Sequence, residues 1–183
     1  MINNSRNPRF PIKNENNGNL FRWLPFAFSP LVLALSLNSN MVYAKGTAYG
    51  DNSEANGTNS TAYGEWTTAN TDYSTAVGAG AKAGGNSSTA IGQIAIASGQ
   101  YSTATGSDAQ AGGEKSTATG KGSRANAVQS TANGQNANAQ GNFSTAIGES
   151  AQATGNYSTA TGQGAQATAI GSTATGHNAL ATG

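Results

Sequence analysis

The segment Ser-Thr-Ala-x-Gly occurs nine times, and successive copies start 14 residues apart, at Ser60, Ser74, Ser88, Ser102, Ser116, Ser130, Ser144, Ser158 and Ser172. A degenerate copy, Gly46-Thr47-Ala48-Tyr49-Gly50, lies one period earlier. A short period that never slips describes one structural unit stacked on the next. Every unit then shows the solvent nearly the same face, so function is sought on a repeated surface rather than in a pocket.

Numbered from the serine, the repeat reads S-T-A-x-G-x-x-A-x-A-x-G-x-x. Position 3 is alanine from Ala48 to Ala174, position 5 glycine from Gly50 to Gly176, and position 10 alanine from Ala55 to Ala181. A helix needs apolar residues at three-to-four spacing over a longer stretch, and each interior glycine costs it ~1 kcal/mol. Two short alternating segments, each closed by glycine, read instead as strand, turn, strand, turn. One repeat makes one coil of a flattened all-β solenoid. Parallel stacking at ~4.8 Å per coil makes about ten coils a rod on the order of 45–50 Å long.

The period of two assigns the faces. Positions 1, 3, 5, 8, 10 and 12 are small and are expected inside; positions 2 and 4 are expected outside. The opposite parity would bury Asn133 at position 4, at a cost on the order of 1–3 kcal/mol if unpaired. An alanine interior buries little apolar area at ~25 cal/mol per Å², so a partner surface is expected. Tyr49, Tyr63, Val77, Ile91 and Ile147 at position 4 lie beside a column of threonines. That face predicts a subunit interface, with Tyr63, Val77, Ile91 and Ile147 as its contacts. Position 9 runs Glu54, Thr68, Lys82, Ile96, Gln110, Arg124, Asn138, Gln152, Gln166, Leu180 and predicts the water-facing surface. Gly-Asn at positions 12 and 13 (Gly85-Asn86, Gly141-Asn142, Gly155-Asn156) is expected to supply positive φ. Position 14 is aromatic at Tyr73, Tyr101, Phe143 and Tyr157, either stacked along a corner or solvated.

Residues 1–44 read as an export leader. Arg6, Arg9, Lys13 and Arg22 make its start positive, Trp23 to Leu37 is apolar, and Val42-Tyr43-Ala44 offers a cleavage site. The apolar run, broken by Pro25 and Pro30, falls short of the ~20 residues of a membrane span. The domains are therefore 1–44, leader, and 45–183, repeat. From Lys45 onward five cations face seven anions, a net charge of −2, which leaves no basic nucleic-acid footprint. With no cysteine there is no disulfide framework. Low charge and much Gly, Ser, Thr and Asn also describe disordered chains, but a disordered linker tolerates insertions and this register has none.

Enzyme chemistry finds no foothold. The one histidine, His177, falls in a turn without a repeated acid partner. Gly78-Ala79-Gly80-Ala81-Lys82-Ala83 imitates a dinucleotide fingerprint but lacks the helix that must follow. Gly84-Gly85-Asn86 and Gly112-Gly113-Glu114 do not extend to the calcium-binding nonapeptide. The sequons at Asn59, Asn86, Asn142 and Asn156 arise from turn asparagines that precede repeat serines. No catalytic residue, cofactor, metal or small-molecule substrate is expected.

Ser88-Thr89-Ala90-Ile91-Gly92 and Ser144-Thr145-Ala146-Ile147-Gly148, with Ala95-Ile96-Ala97-Ser98-Gly99 and Ala151-Gln152-Ala153-Thr154-Gly155, resemble the head repeat of the YadA-like trimeric autotransporter adhesins. The resemblance covers about Gly46 to Gly183. It implies a left-handed parallel β-roll, a homotrimer, display at a Gram-negative cell surface or secretion, and binding to host matrix protein or other cells. Threonine stands where the family often has valine at position 2. No neck, heptad stalk or C-terminal barrel strands follow the repeats, so a truncated adhesin or a head secreted alone is a further expectation.

Two functions are in contention. An adhesin head would bind by many weak contacts, multiplied by effective concentration. An ice-binding solenoid would use the Thr-Ala-Thr ranks at Thr103–Thr105, Thr117–Thr119, Thr159–Thr161 and Thr173–Thr175, but the tyrosines, Val77, Ile91, Asn133 and Ile147 interrupt that plane. For a charged ligand, Lys82 and Arg124 are the central cations of the polar face.

Overall fold

The computed structural model describes residues 46–183; the leader expected over 1–44 lies outside them. The described residues form a parallel β-roll of two ten-stranded sheets. One sheet takes positions 2 to 4 of each coil, from Thr47–Tyr49 to Thr173–Thr175; the other takes positions 9 and 10, from Glu54–Ala55 to Leu180–Ala181. Neighbouring strands pair residue on residue at the repeat distance, as in Thr117↔Thr131, Ala118↔Ala132 and Thr119↔Asn133.

The interior follows the period-two reading. Every buried apolar side chain among the described residues is an alanine, chiefly from positions 3, 8 and 10. Thr67, at position 8, is the largest fully buried side chain among the described residues, and the cost of a bulkier one would be steric rather than hydrophobic. Position 1 adds a buried serine column. Ser60, Ser74, Ser130 and Ser172 donate their hydroxyls to carbonyl oxygens three residues back, at 2.8, 2.6, 2.8 and 2.8 Å. The buried Oγ atoms of Ser88, Ser102, Ser116, Ser144 and Ser158 have no protein partner. An unpaired buried hydroxyl costs about 1–3 kcal/mol. Ser116→Ala should therefore leave the melting temperature unchanged or raise it, whereas Ser130→Ala should lower stability by about 1 kcal/mol. Equal losses in the two thermal melts would show that Ser116 is paired.

The corners depart from expectation. Positive φ does not fall on the Gly-Asn pair at positions 12 and 13. It falls at positions 7 and 14, for example Trp66 (57°), Ile94 (57°), Tyr73 (58°) and Phe143 (60°). Each coil turns twice through a β-turn with positive φ at its third residue, the type II pattern. One turn is closed by Ala81 N–H donating to Gly78 O at 3.0 Å, the other by Ser88 N–H donating to Gly85 O at 3.1 Å.

Glycine at position 12 answers a different need. A Cβ on Gly85 or Gly99 would run into the backbone carbonyl of the next coil. Asparagine at position 13 has its own task. The side chain of Asn156 accepts the Asn142 N–H at 2.9 Å, and that of Asn142 accepts the Val128 N–H at 3.2 Å. The next coil thus caps a donor outside the sheet ladders. Asn156→Ala should cost about 1 kcal/mol by leaving that amide to water, read as a small drop in melting temperature.

Position 5 is a second correction. Its glycines are half-exposed rather than interior, with φ of 131° at Gly92 and 132° at Gly106. They mark the bend where the first strand ends.

Candidate adhesive surfaces

Positions 2 and 4 point outward along the first sheet. Tyr49, Tyr63 and Ile91 are exposed, and Val77 is half-buried. Direct pairing of Tyr63 with Val77, and of Val77 with Ile91, makes one unbroken apolar stripe with Tyr49. The Tyr49 and Tyr63 rings stack at 5.0 Å, 10° from parallel. Ile147 stands apart from it, paired with Asn133 on one side and Thr161 on the other. Of the four residues assigned to an interface, the structure therefore groups three and isolates one.

The second sheet presents position 9. Lys82 and Arg124 are exposed on it, but they are not neighbours. Ile96 and Gln110 lie between them in the ladder, which places the two cations about 14 Å apart at ~4.8 Å per coil. They stand as two separate charges rather than one anion site. Among the described residues no three His, Cys, Asp or Glu side chains come together as metal ligands. All four corner aromatics are exposed, and of these Phe143 and Tyr157 stack on each other at 5.1 Å, 1° from parallel.

One feature escaped the sequence reading. At the position-7 corner a groove of about 760 Å³ opens, lined by Trp66, Gly80 and Ile94 on the turn and by Glu54, Thr68 and Lys82 on the second sheet, with Asn52 and Ser53 at one end. The missed signal was at position 7 itself. Gly, Asn, Asp or Ser occupies that place in every coil from Asn52 to Asn178 except those of Trp66 and Ile94.

These surfaces belong to a known architecture. The family described as the YadA head domain repeat (2 copies) matches the chain in nine overlapping stretches, from residues 45–65 to residues 153–179. The chain belongs to the YadA head-repeat family. Among solved structures it is similar to the collagen-binding domain of the Yersinia adhesin YadA, at 31% identity and a TM-score of 0.57, over 66% of this chain and 68% of that one. A comparison with curated proteins returns no match. The all-β roll predicted from the 14-residue period is thus the fold of a YadA head.

Proposed function

We propose that this YadA-family chain is the head of an exported adhesin, attaching a cell to host matrix protein or to other cells. The observation that carries the reading is the repeated surface itself: ten coils in one register in a family whose solved Yersinia member is a collagen-binding domain. Such a surface suits weak contacts made many times over. The reading assigns the chain no catalysis. It includes release of the leader, so amino-terminal sequencing of the exported protein should begin at Lys45; a start at Met1 would remove the cleavage step.

Assembly as a homotrimer through the Tyr63, Val77 and Ile91 stripe belongs to the same proposal. The stripe is the apolar face that the alanine interior leaves uncovered. Collagen and other matrix proteins immobilised on a sensor surface are the direct test. Retention of the purified protein, lost on heat unfolding, supports the reading; no retention on matrix protein or on cells sinks it. On the polar face, Lys82→Glu and Arg124→Glu should each weaken binding by about 3- to 10-fold if an acidic ligand spans them. Because they stand about 14 Å apart, their effects should add. Unchanged binding in the double variant would move the ligand off the second sheet.

A further inference from the structure

We infer that Asn56 is a modification site: the Asn56-Gly57 unit loses ammonia, closes to a succinimide and reopens as aspartate or isoaspartate, and the product unlatches the amino-terminal coil.

Asparagine followed by glycine carries this chemistry within itself, because a residue with no Cβ lets the backbone come close. The glycine nitrogen attacks the asparagine Cγ and gives up its proton. A C–N bond forms, the Cγ–Nδ2 bond breaks, and the side-chain nitrogen leaves as ammonia. Water then adds to one of the two ring carbonyls. Opening at one restores the backbone with an aspartate. Opening at the other leaves isoaspartate, with one more carbon in the main chain. The net change is one water taken up and one ammonia released, with no enzyme or oxidant.

Among the described residues asparagine precedes glycine twice, at Asn56-Gly57 and Asn133-Gly134, and the fold treats the two pairs differently. Asn133 ends a strand that is paired on both sides, with Thr119 and with Ile147. The nitrogen that would attack is held there, since the Gly134 N–H donates to Thr119 O at 2.8 Å. Ring closure at Asn133 requires the ladder to open in the middle of the roll. Asn56 lies outside the strands and is exposed. The Gly57 N–H donates to no acceptor among the described residues, whereas Gly85 and Gly99, at the same place in later coils, each donate to an alanine carbonyl of the next coil at 3.2 Å. The coil is also more open. Thr47, Ala48 and Tyr49 are all exposed, while the alanine of Thr117–Thr119 is buried. Local opening is least costly where so little is buried, and local opening is what ring closure needs.

The same side chain joins the first coil to the second. Asn56 Nδ2 donates to Asn70 Oδ1 at 3.0 Å and to Glu54 Oε2 at 3.4 Å. Both bonds are exposed, so they yield easily when the coil opens. An aspartate in that place has no N–H to give. It sets a carboxylate against the Asn70 oxygen and the Glu54 charge, and a latch becomes a repulsion. Isoaspartate adds main-chain length just before Gly57, where there is no slack: a Cβ on Gly57 would run into the Thr71 carbonyl. Tyr49 stacks on Tyr63 across the same two coils, so the head of the apolar stripe is what loosens. Each coil is held by its neighbours alone, which confines the change to that end.

Full-length protein, folded and in urea, is held for weeks in a mildly alkaline buffer. Peptide mass mapping follows both sites, and isoaspartyl methyltransferase labelling marks isoaspartate. In the folded protein Asn56 should convert about tenfold faster than Asn133 or more; in urea the two rates should converge. Equal rates in the folded protein, faster conversion at Asn133, or no conversion at Asn56 while the chain in urea converts would each overturn the site. Asn56→Asp carries one product from the start. It should speed hydrogen exchange of the Thr47–Tyr49 and Glu54–Ala55 strands by about threefold or more and leave Thr117–Thr119 unchanged. Asn56→Ser, which keeps a donor, should change the first coil less. First-coil exchange in Asn56→Asp equal to that of the unaltered protein would sink the unlatching.

Discussion

Gly106→Ala is expected to destabilise the roll by about 3–5 kcal/mol. Two costs add. Gly106 sits at φ 132°, a region open almost only to glycine, which costs on the order of 1–3 kcal/mol for any other residue. A Cβ there would also lie 2.6 Å from the Gly120 carbonyl oxygen in the next coil. That oxygen belongs to the stack, so it can move only if two coils separate. In a solenoid each coil holds only its neighbours, and a break at Gly106 should let the two halves unfold at different temperatures. Calorimetry should resolve two transitions, or one at a clearly lower temperature. A melt like that of the unaltered protein would mean that position 5 is not so tightly apposed. Gly80→Ala is the control: φ is again positive, at 68°, but the nearest atom stands at ordinary contact distance, so only the smaller left-handed cost of about 1–2 kcal/mol applies.

This contrast also marks what was legible in the sequence. Which side of each strand faces inward could be read, because a period of two in a strand fixes it. Ala118 and Ala125 are fully buried, and Thr117 and Thr119 beside Ala118 point outward. The corners could not be read the same way. A glycine at position 12 and one at position 5 look alike on the page, yet Gly85 only avoids a collision with the next coil, while Gly92 avoids one and also holds a positive φ. The left-handed residues themselves carry no consistent signature. At position 14 the place is filled by Tyr73, Ser87, Lys115, Gln129 and Phe143 in turn, because the stacked ladders impose the turn whatever side chain stands there. Asn142 and Asn156 were visible as turn residues, but their capping of the coil before them depends on a neighbour that only the stacked structure supplies. The groove was hidden for a related reason. Trp66, Gly80 and Ile94 are each 14 residues apart, and only the stacking of their three coils brings them to one groove.

The second large effect is expected at the apolar stripe. Val77→Asp with Ile91→Asp should convert an assembled head into monomers or unfold it. Both residues face outward, so neither substitution disturbs the alanine interior. In a lone coil stack the change would be close to neutral, since a surface carboxylate replaces half-exposed hydrocarbon. In a trimer closed over this stripe, each chain would bring two charges into a shared apolar seam, at several kcal/mol per ion. The two outcomes are therefore far apart. Light scattering after size exclusion should give three times the chain mass for the unaltered residues 45–183 and one chain mass, or an unfolded chain by circular dichroism, for the variant. Ile147→Asp should do much less, because its ladder neighbours Asn133 and Thr161 already make that part of the face polar. A folded monomer in the unaltered protein would overturn the interface. It would also return the threonine column to water, and with it the ice-binding reading of Thr103–Thr105 and Thr117–Thr119, testable by thermal hysteresis. The gradient along the rod makes the trimer reading specific: Tyr49, Tyr63, Val77 and Ile91 close the amino-terminal coils, and threonine or asparagine takes position 4 over the next three. Stability gained from assembly should therefore concentrate near the amino-terminal end, where hydrogen exchange of the Val77 and Ile91 strands should slow in the assembled head and that of the Thr119 strand should change little.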